Sequence, residues 1–353
     1  MSASPSSPVR FAIVGAGAIA SAYAEAFART SRAQLVAVAD VNPEAAARLA
    51  APAGAAVFAD AESLAQAADP VEAAIVCTPP STHPEVCSAL LRRGIHVLCE
   101  KPLSVSLDGA YQMIHAAAKG RALLTMASKF RYVDDVLAAK RLVEEGLLGD
   151  LILFENSFTG YVDMTNRWNS KPGISGGGVL IDNGTHSLDL ARYFLGPIAD
   201  LQVAEGKRSQ NLPVEETVQI FLRSEAGVLG NIDLSWTISK QLPTYITLHG
   251  SKGTLSLGWK ESKYRLHGGD WVVFGSGYSK VGAFLNQINN VAGAIRGTEE
   301  LRITIEDGIA SVRAVEAAYA ALARGPWTTV KPEPDVSVLR TPWLTPALAT
   351  ALS

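Results

Sequence analysis

Phe11-Ala12-Ile13-Val14-Gly15-Ala16-Gly17-Ala18-Ile19-Ala20 is the stretch that decides the fold. Its first four residues are an apolar, partly β-branched run ended by glycine, the pattern of a buried strand. The alanine-rich residues 18–29 read as a helix. Between them, Gly15 to Ala20 fits G-x-G-x-x-A. At a strand-to-helix junction the first glycine permits a tight turn and the second lets a diphosphate approach the backbone. The small last residue lets the helix pack on the strand. The helix N-terminus then offers free amides and a partial positive charge to the phosphates.

Outward from this turn, residues 35–39 form a second strand that closes on Asp40, 25 positions after Gly15. A carboxylate there accepts hydrogen bonds from an adenosine ribose diol and repels the extra phosphate of NADP. No arginine immediately follows it. NAD is therefore expected in preference to NADP, held by Gly15, Gly17, Ala18, Ile19 and Asp40. Asn42-Pro43-Glu44 supplies an N-cap, a first-turn proline and a first-turn acid for a helix to about residue 50. Strands at 57–58, 73–77, 96–99 and 123–126 then alternate with helices at 84–93 and 106–119. This rhythm predicts a doubly wound parallel sheet covered by helices on both faces.

After about residue 130 the rhythm changes. A helix over 132–145 precedes strands at 151–158, 201–205, 217–222, 228–236, 245–248, 254–257 and 271–274, with helices at 180–194, 282–295 and 306–323. That pattern predicts an α+β domain built on a large, mostly antiparallel open sheet. The expected organisation is a disordered tail over 1–8, a dinucleotide-binding Rossmann domain over 9–128, a substrate-binding and oligomerisation domain over 129–330, and a proline-rich tail over 331–353.

The 353 residues are 48% hydrophobic and 18% charged, which suits a globular two-domain chain. A net charge of −3 and the lack of a basic block argue against nucleic acid. Cys77, Cys87 and Cys99 form no C-x-x-C pair and cannot all pair within one chain, so a reducing, cytoplasmic setting is expected. No apolar run is long enough to span a membrane. Residues 11–24 could pass for a signal-peptide core, but the glycine turn accounts for them better. The six histidines show no metal spacing such as H-x-x-x-H, and no G-x-S-x-G elbow occurs, so neither a metal nor a serine nucleophile is expected.

Three further stretches carry chemistry: Thr78-Pro79-Pro80-Ser81-Thr82-His83, Cys99-Glu100-Lys101-Pro102, and the run Gly176-Gly177-Gly178-Val179-Leu180-Ile181-Asp182-Asn183-Gly184-Thr185-His186-Ser187-Leu188-Asp189. In this order after the glycine turn, they resemble the glucose–fructose oxidoreductase, inositol dehydrogenase and rhizopine catabolism (Gfo/Idh/MocA) family. Residues 99–102 are similar to its E-K-P motif, and residues 176–189 to its G-G-G-x-L-x-D-x-G-x-H-x-x-D. The resemblance covers residues 11 to about 325. Ala20 replaces the commoner final glycine. Ser128-Lys129-Phe130-Arg131-Tyr132 stands where the family often has Asn-Tyr-Arg, with Arg131 matching and Lys129 departing.

Oxidising an alcohol needs a base for the hydroxyl proton while hydride leaves carbon. Lys101 follows the carboxyl end of a parallel strand, where the cofactor crevice is expected. Asp182 and His186, four apart, share one helix face. An imidazole, which titrates near neutral pH, suits the acid/base, and Asp182 orients substrate or stabilises imidazolium. The resemblance implies the catalytic trio Lys101, Asp182 and His186, with Thr78, Pro79, His83 and Glu100 joining Lys101 on the cofactor side. His83 either lines that pocket or caps the next helix, and Asp189 either faces solvent or braces its own. Arg131, Asn156, Tyr161, Trp168 and Asn169, beside the trio, are candidate substrate residues suited to hydroxyl-rich ligands. The expected activity is NAD-dependent interconversion of a secondary alcohol and ketone on a sugar, sugar nucleotide or cyclitol. Two alternatives stand beside it: an NAD-dependent glycosidase using transient oxidation, and a non-catalytic nucleotide sensor or interaction protein. Because the family pairs its second-domain sheets, a homodimer or homotetramer is expected.

Overall fold

The computed structural model describes residues 7–67 and 71–325 and the backbone of 328–329. The expected tail over 331–353 and residues 1–6 lie outside the described residues. The chain divides into two compact units, one comprising residues to Lys129 together with Lys280–Ala310, the other built on Phe130–Ser279 and the chain from Ser311.

In the first unit, β1 (Val9–Val14), β2 (Ala33–Ala39), β3 (Ala56–Phe58), β4 (Ala73–Val76), β5 (His96–Glu100) and β6 (Leu124–Ala127) form one sheet in the order β3-β2-β1-β4-β5-β6. Every pairing is parallel. Strand order reverses between β1 and β4, and in such sheets ligands bind beyond the carboxyl ends of the strands at that point. The helices are α1 (Ala18–Phe27), α2 (Pro43–Ala50), α3 (Ala61–Ala65), α4 (His83–Arg92) and α5 (Leu107–Gly120). Their starts follow the capping signals: Asn42 accepts from the Ala45 amide, and Ser106 from that of Gly109. The short α3, which the sequence pattern does not announce, starts on a capping box at Asp60 and Ser63.

The expected single second domain over 129–330 is corrected by α9 (Lys280–Ile295), which belongs with the first unit. Its apolar stripe Phe284, Ile288, Val291 and Ala292 joins the core made by Tyr23, Phe27 and Phe11. Burying Phe284 and Ile288 fully contributes about 1.5–3 kcal/mol each. A periodic stripe announces that a helix packs, but not against which element.

The second unit begins with α6 (Asp134–Glu144), β7 (Leu151–Thr159), the single turn α7 (Pro172–Ser175) and α8 (Val179–Leu195). β8 (Ile198–Glu205), β9 (Thr217–Ser224), β10 (Leu229–Ser235), β11 (Thr244–Gly250), β12 (Gly253–Gly258), β13 (Ser262–Leu266) and β14 (Val272–Gly275) follow. After α9 and α10 (Ile305–Arg324), β15 (Thr328–Thr329) completes a nine-stranded sheet, β14-β13-β12-β11-β7-β10-β9-β8-β15. Pairing is antiparallel except between β7 and β10. Alternate residues Phe154, Asn156 and Phe158 of β7, and Val218, Ile220 and Leu222 of β9, are buried on one face, and α8 packs across β7, β9 and β10. β13, absent from the expected strands, is a polar, charged hairpin arm (Ser-Lys-Tyr-Arg-Leu) with little apolar alternation to reveal it.

Candidate active-site residues in the two units

The nucleotide turn has the geometry its glycines predict. Gly15 has φ +96°, and a Cβ there would sit 2.8 Å from the Cys77 carbonyl carbon and the Thr78 nitrogen, so only glycine fits. At Gly17 a Cβ would meet nothing within 4 Å. Gly17 N-caps α1 without a side-chain hydrogen bond, so the helix presents Ala18 and Ile19 and its dipole to an approaching anion. Asp40 ends β2; its Oδ2 accepts from the Ala16 amide at 2.6 Å and its Oδ1 from Asn42 at 2.7 Å. One oxygen of this carboxylate thus braces the turn. An open backbone at the second glycine, an uncapped helix end and a strand-terminal carboxylate fit the NAD diphosphate and ribose.

Thr78 and Pro79 follow β4 on the same edge of the sheet, where the Thr82 hydroxyl lies 2.8 Å from that of Thr78. His83 does not cap α4, whose N-cap is Thr82. Its ring is fully buried, with Nδ1 2.9 Å from the Pro102 carbonyl and Nε2 2.9 Å from that of Thr78, and burial pushes its pKa down. It ties the loop after β4 to the loop after β5 and leaves neither nitrogen for a ligand.

Glu100 and Lys101 close β5, and the Lys101–Pro102 peptide is cis. Lys101 is half-buried, while Glu100 points inward and is only 8% exposed. The Glu100 carboxylate accepts from the Tyr23 hydroxyl at 2.9 Å and from the Lys101 amide at 3.1 Å. Burial raises its pKa; the nearby Lys101 and Lys129 ammonium groups oppose the rise. Tyr23, on α1, gave no sequence signal for this role.

In the second unit, α8 carries the other two members of the trio. Asp182 lies in its first turn, half-buried, and His186 one turn on, buried. The start of α8 is set by the three glycines. A Cβ on Gly177 would overlap the Tyr319 hydroxyl, and one on Gly178 the Glu215 backbone oxygen. Glu215 Oε1 accepts from the Gly178 amide at 2.8 Å, from Leu180 at 3.1 Å and from the Tyr319 hydroxyl at 2.7 Å. It satisfies helix N-terminal amides that lack intrahelical partners. A residue remote in sequence thereby fixes the register of Asp182 and His186.

The His186 ring stands edge-on to Phe130, centroids 5.0 Å apart, and Phe130 stacks on Tyr278 at 5.2 Å. Phe158, Tyr245 and Trp259 extend the cluster, with Tyr245 and Trp259 centroids 4.8 Å apart. Trp259 is 39% exposed, an amphipathic face of the kind that stacks on a sugar ring. Neither Trp259 nor Tyr278 is within reach of a sequence motif; Trp259 follows β12 and Tyr278 follows β14, where its amide donates to the Trp259 carbonyl at 3.2 Å.

Other candidates separate. Arg131 is buried in a bidentate ion pair, Nε to Asp189 Oδ2 at 2.9 Å and Nη2 to Oδ1 at 2.5 Å, with its guanidinium 5.0 Å from the Tyr193 ring centre. That geometry braces α8 and commits the guanidinium inside the unit; it also resolves Asp189 towards bracing. Asn156 is buried on β7 and donates to the Tyr245 carbonyl at 2.8 Å. Tyr161 and Trp168 are exposed on the loop between β7 and α8, with Asn169 half-buried beside them.

Among the described residues no group of three His, Cys, Asp or Glu is placed to hold a metal ion, and no helix is long and apolar enough to cross a membrane.

Known proteins agree with this architecture. Residues 9–128 match the model of the oxidoreductase family with an NAD-binding Rossmann fold, and residues 136–256 that of the GFO/IDH/MocA C-terminal domain. Inositol 2-dehydrogenase of Rhizobium meliloti is 26% identical over 335 residues, covering 89% of this chain and 97% of that protein. D-glucoside 3-dehydrogenase of Escherichia coli is 34% identical over 203 residues, 55% of this chain and 56% of that protein. A levoglucosan dehydrogenase solved with NADH and levoglucosan shares the fold at a TM-score of 0.84 and 20% identity, over 92% of this chain and 99% of that one. With a glycine turn of the right geometry on a 3-2-1-4-5-6 sheet and both family domains matched in order, the chain belongs to the Gfo/Idh/MocA family of NAD-binding oxidoreductases.

Proposed function

We propose that the protein oxidises a secondary alcohol of a sugar or cyclitol, or reduces the matching ketone, with NAD as the hydride partner. The observation that carries this is the placing of the motif residues. Lys101 directly follows β5 at the carboxyl edge of the dinucleotide-binding sheet, and His186 sits one turn after Asp182 on a helix whose start is locked by Glu215. Bound NAD supplies the hydride acceptor. His186 takes the hydroxyl proton, Lys101 donates a hydrogen bond to the reacting oxygen, and Asp182 orients the imidazole or a neighbouring hydroxyl. The names of the relatives, an inositol dehydrogenase and a glucoside dehydrogenase, point to ring polyols. Asp40, at the end of β2 with one oxygen on the Ala16 amide of the nucleotide turn and the other on the Asn42 amide, favours NAD over NADP.

The test is NADH absorbance against cyclitols, free aldoses, glycosides, sugar phosphates and nucleotide sugars, with NAD and NADP in parallel. Stoichiometric NADH supports a dehydrogenase. Release of an aglycone with no net NADH would move the reading to glycoside cleavage. Turnover by Lys101→Ala and His186→Ala within a few-fold of the parent would reject the acid–base assignment.

Self-association belongs to the same proposal. Phe221 of β9 and Leu229 of β10 are exposed on the second-unit sheet, on the face opposite the buried alternate residues, and pairing of two such faces would cover them. A single-chain mass by light scattering at micromolar concentration would count against it.

A further inference from the structure

Lys129 is the residue of the 128–132 stretch that departs from the family's pattern, and the first unit gives it a definite setting. β5 and β6 pair in parallel with Glu100 opposite Ala127, so Lys101 leaves β5 level with Ser128, and Lys129 follows one residue on at the same carboxyl edge. The Lys129 ammonium lies 5.9 Å from the centre of the Phe284 ring. Phe284 packs on Tyr23 at 4.2 Å, and the Tyr23 hydroxyl donates to Glu100 at 2.9 Å. The Gln287 carboxamide is 2.9 Å from that hydroxyl. One buried carboxylate is thus flanked by two ammonium groups.

The hydrogen bonds say which form of Glu100 the site needs. One oxygen accepts from Tyr23 and the other from the Lys101 backbone amide. An ionised carboxylate is acceptor-only and meets both donors; a protonated one presents a hydroxyl and can keep only one bond undisturbed. We propose that Lys129 is a positioning residue for Lys101: its ammonium keeps Glu100 ionised, and ionised Glu100 holds the Lys101 main chain in place. This rests on the reading of Lys101 given above. Burial drives Glu100 towards its neutral form, and Lys101, Lys129 and the Tyr23 bond oppose it in that order. Further titratable groups coupled to the cluster include His83, against Lys101, and Cys77 and Cys99, against Glu100; burial favours the neutral form of all three.

The experiment compares the parent with Lys129→Met, Lys129→Arg and Glu100→Gln. Infrared difference spectra over pH follow the carboxyl band that Glu100→Gln abolishes, without reference to turnover. In Lys129→Met this band should appear at a pH higher than in the parent by roughly half a unit to one unit. Lys129→Arg should restore the parent behaviour. The acid limb of kcat/KM should move with the band, while a purely structural lysine would lower activity equally at every pH. An unchanged band midpoint in Lys129→Met overturns the inference, as does a failure of arginine to rescue it. A band that moves while kcat/KM keeps its pH profile would overturn the role through Lys101 and leave the charge cluster standing. Loss of fold in Glu100→Gln leaves the test intact, since the band is then assigned with Glu100→Asp, which shifts it.

Discussion

Arg131 and Asp189 form a bidentate ion pair with side chains 5% and 0% exposed. It ties the segment before α6 to the middle of α8, one turn beyond His186. Charges so deeply placed are stable only together: the desolvation cost of each is offset by its partner. Asp189→Asn leaves the guanidinium buried without a countercharge and should cost about 3–5 kcal/mol in chemical denaturation. The double variant Arg131→Met/Asp189→Leu should lose much less. If Asp189→Asn unfolds at the parent's denaturant concentration, the pair does not brace α8.

Gly178 tests the start of the same helix. An added methyl runs into the Glu215 backbone, which cannot swing aside as a side chain could, so Gly178→Ala should destabilise by roughly 1–3 kcal/mol. At Gly177 the obstacle is the Tyr319 hydroxyl, the end of a side chain that can swing aside at the loss of its bond to Glu215, and Gly177→Ala should cost less. Thermal melts of the two variants rank the effects. The reverse order would mean that the glycines serve flexibility instead of close approach.

Much of this arrangement is legible in the sequence because it is local. The glycine turn, the caps at Asn42 and Ser106 and the spacing of Asp182 and His186 depend on residues within a few positions of one another. What escapes is long-range. Nothing near Gly178 announces Glu215 or Tyr319, and nothing near Glu100 announces Tyr23. Arg131 is the instructive case. An arginine in a motif near the trio reads as a ligand contact, but its fate turns on Asp189, 58 residues away, and on Tyr193 beneath it. The stripe on α9 likewise declares a buried helix without declaring its partner.

His96, at the start of β5, gives a pH-dependent prediction. Burial pushes its pKa down to about 4, with Glu72 opposing and Arg296 reinforcing the shift. Its Nδ1 accepts from the Leu123 amide at 2.8 Å, a bond lost when that nitrogen is protonated. The unfolded chain takes up a proton near pH ~6.5 and the folded chain does not, so stability falls as pH drops from that value towards 4. The loss should be on the order of 1–3 kcal/mol. His96→Gln, measured by urea unfolding between pH 7 and 4.5, should flatten this part of the profile. An identical slope in parent and variant would assign the acid sensitivity to other groups.

Gly15 and Gly17 are equivalent as motif letters and should behave differently as alanines. At Gly15 the positive φ and the 2.8 Å approach to the residue 77–78 backbone make a side chain a folding defect, so Gly15→Ala should lower the melting temperature whether or not NAD is present. At Gly17, φ is −78° and the space ahead of a Cβ is open. Gly17→Ala should therefore melt within about 0.5 kcal/mol of the parent. Its methyl would occupy the approach that a diphosphate needs, and NAD affinity by calorimetry should fall by at least about tenfold, the equivalent of ~1.4 kcal/mol. The two effects separate a glycine required by the chain from one required by a ligand. Undiminished NAD binding in Gly17→Ala would place the diphosphate elsewhere on the sheet edge.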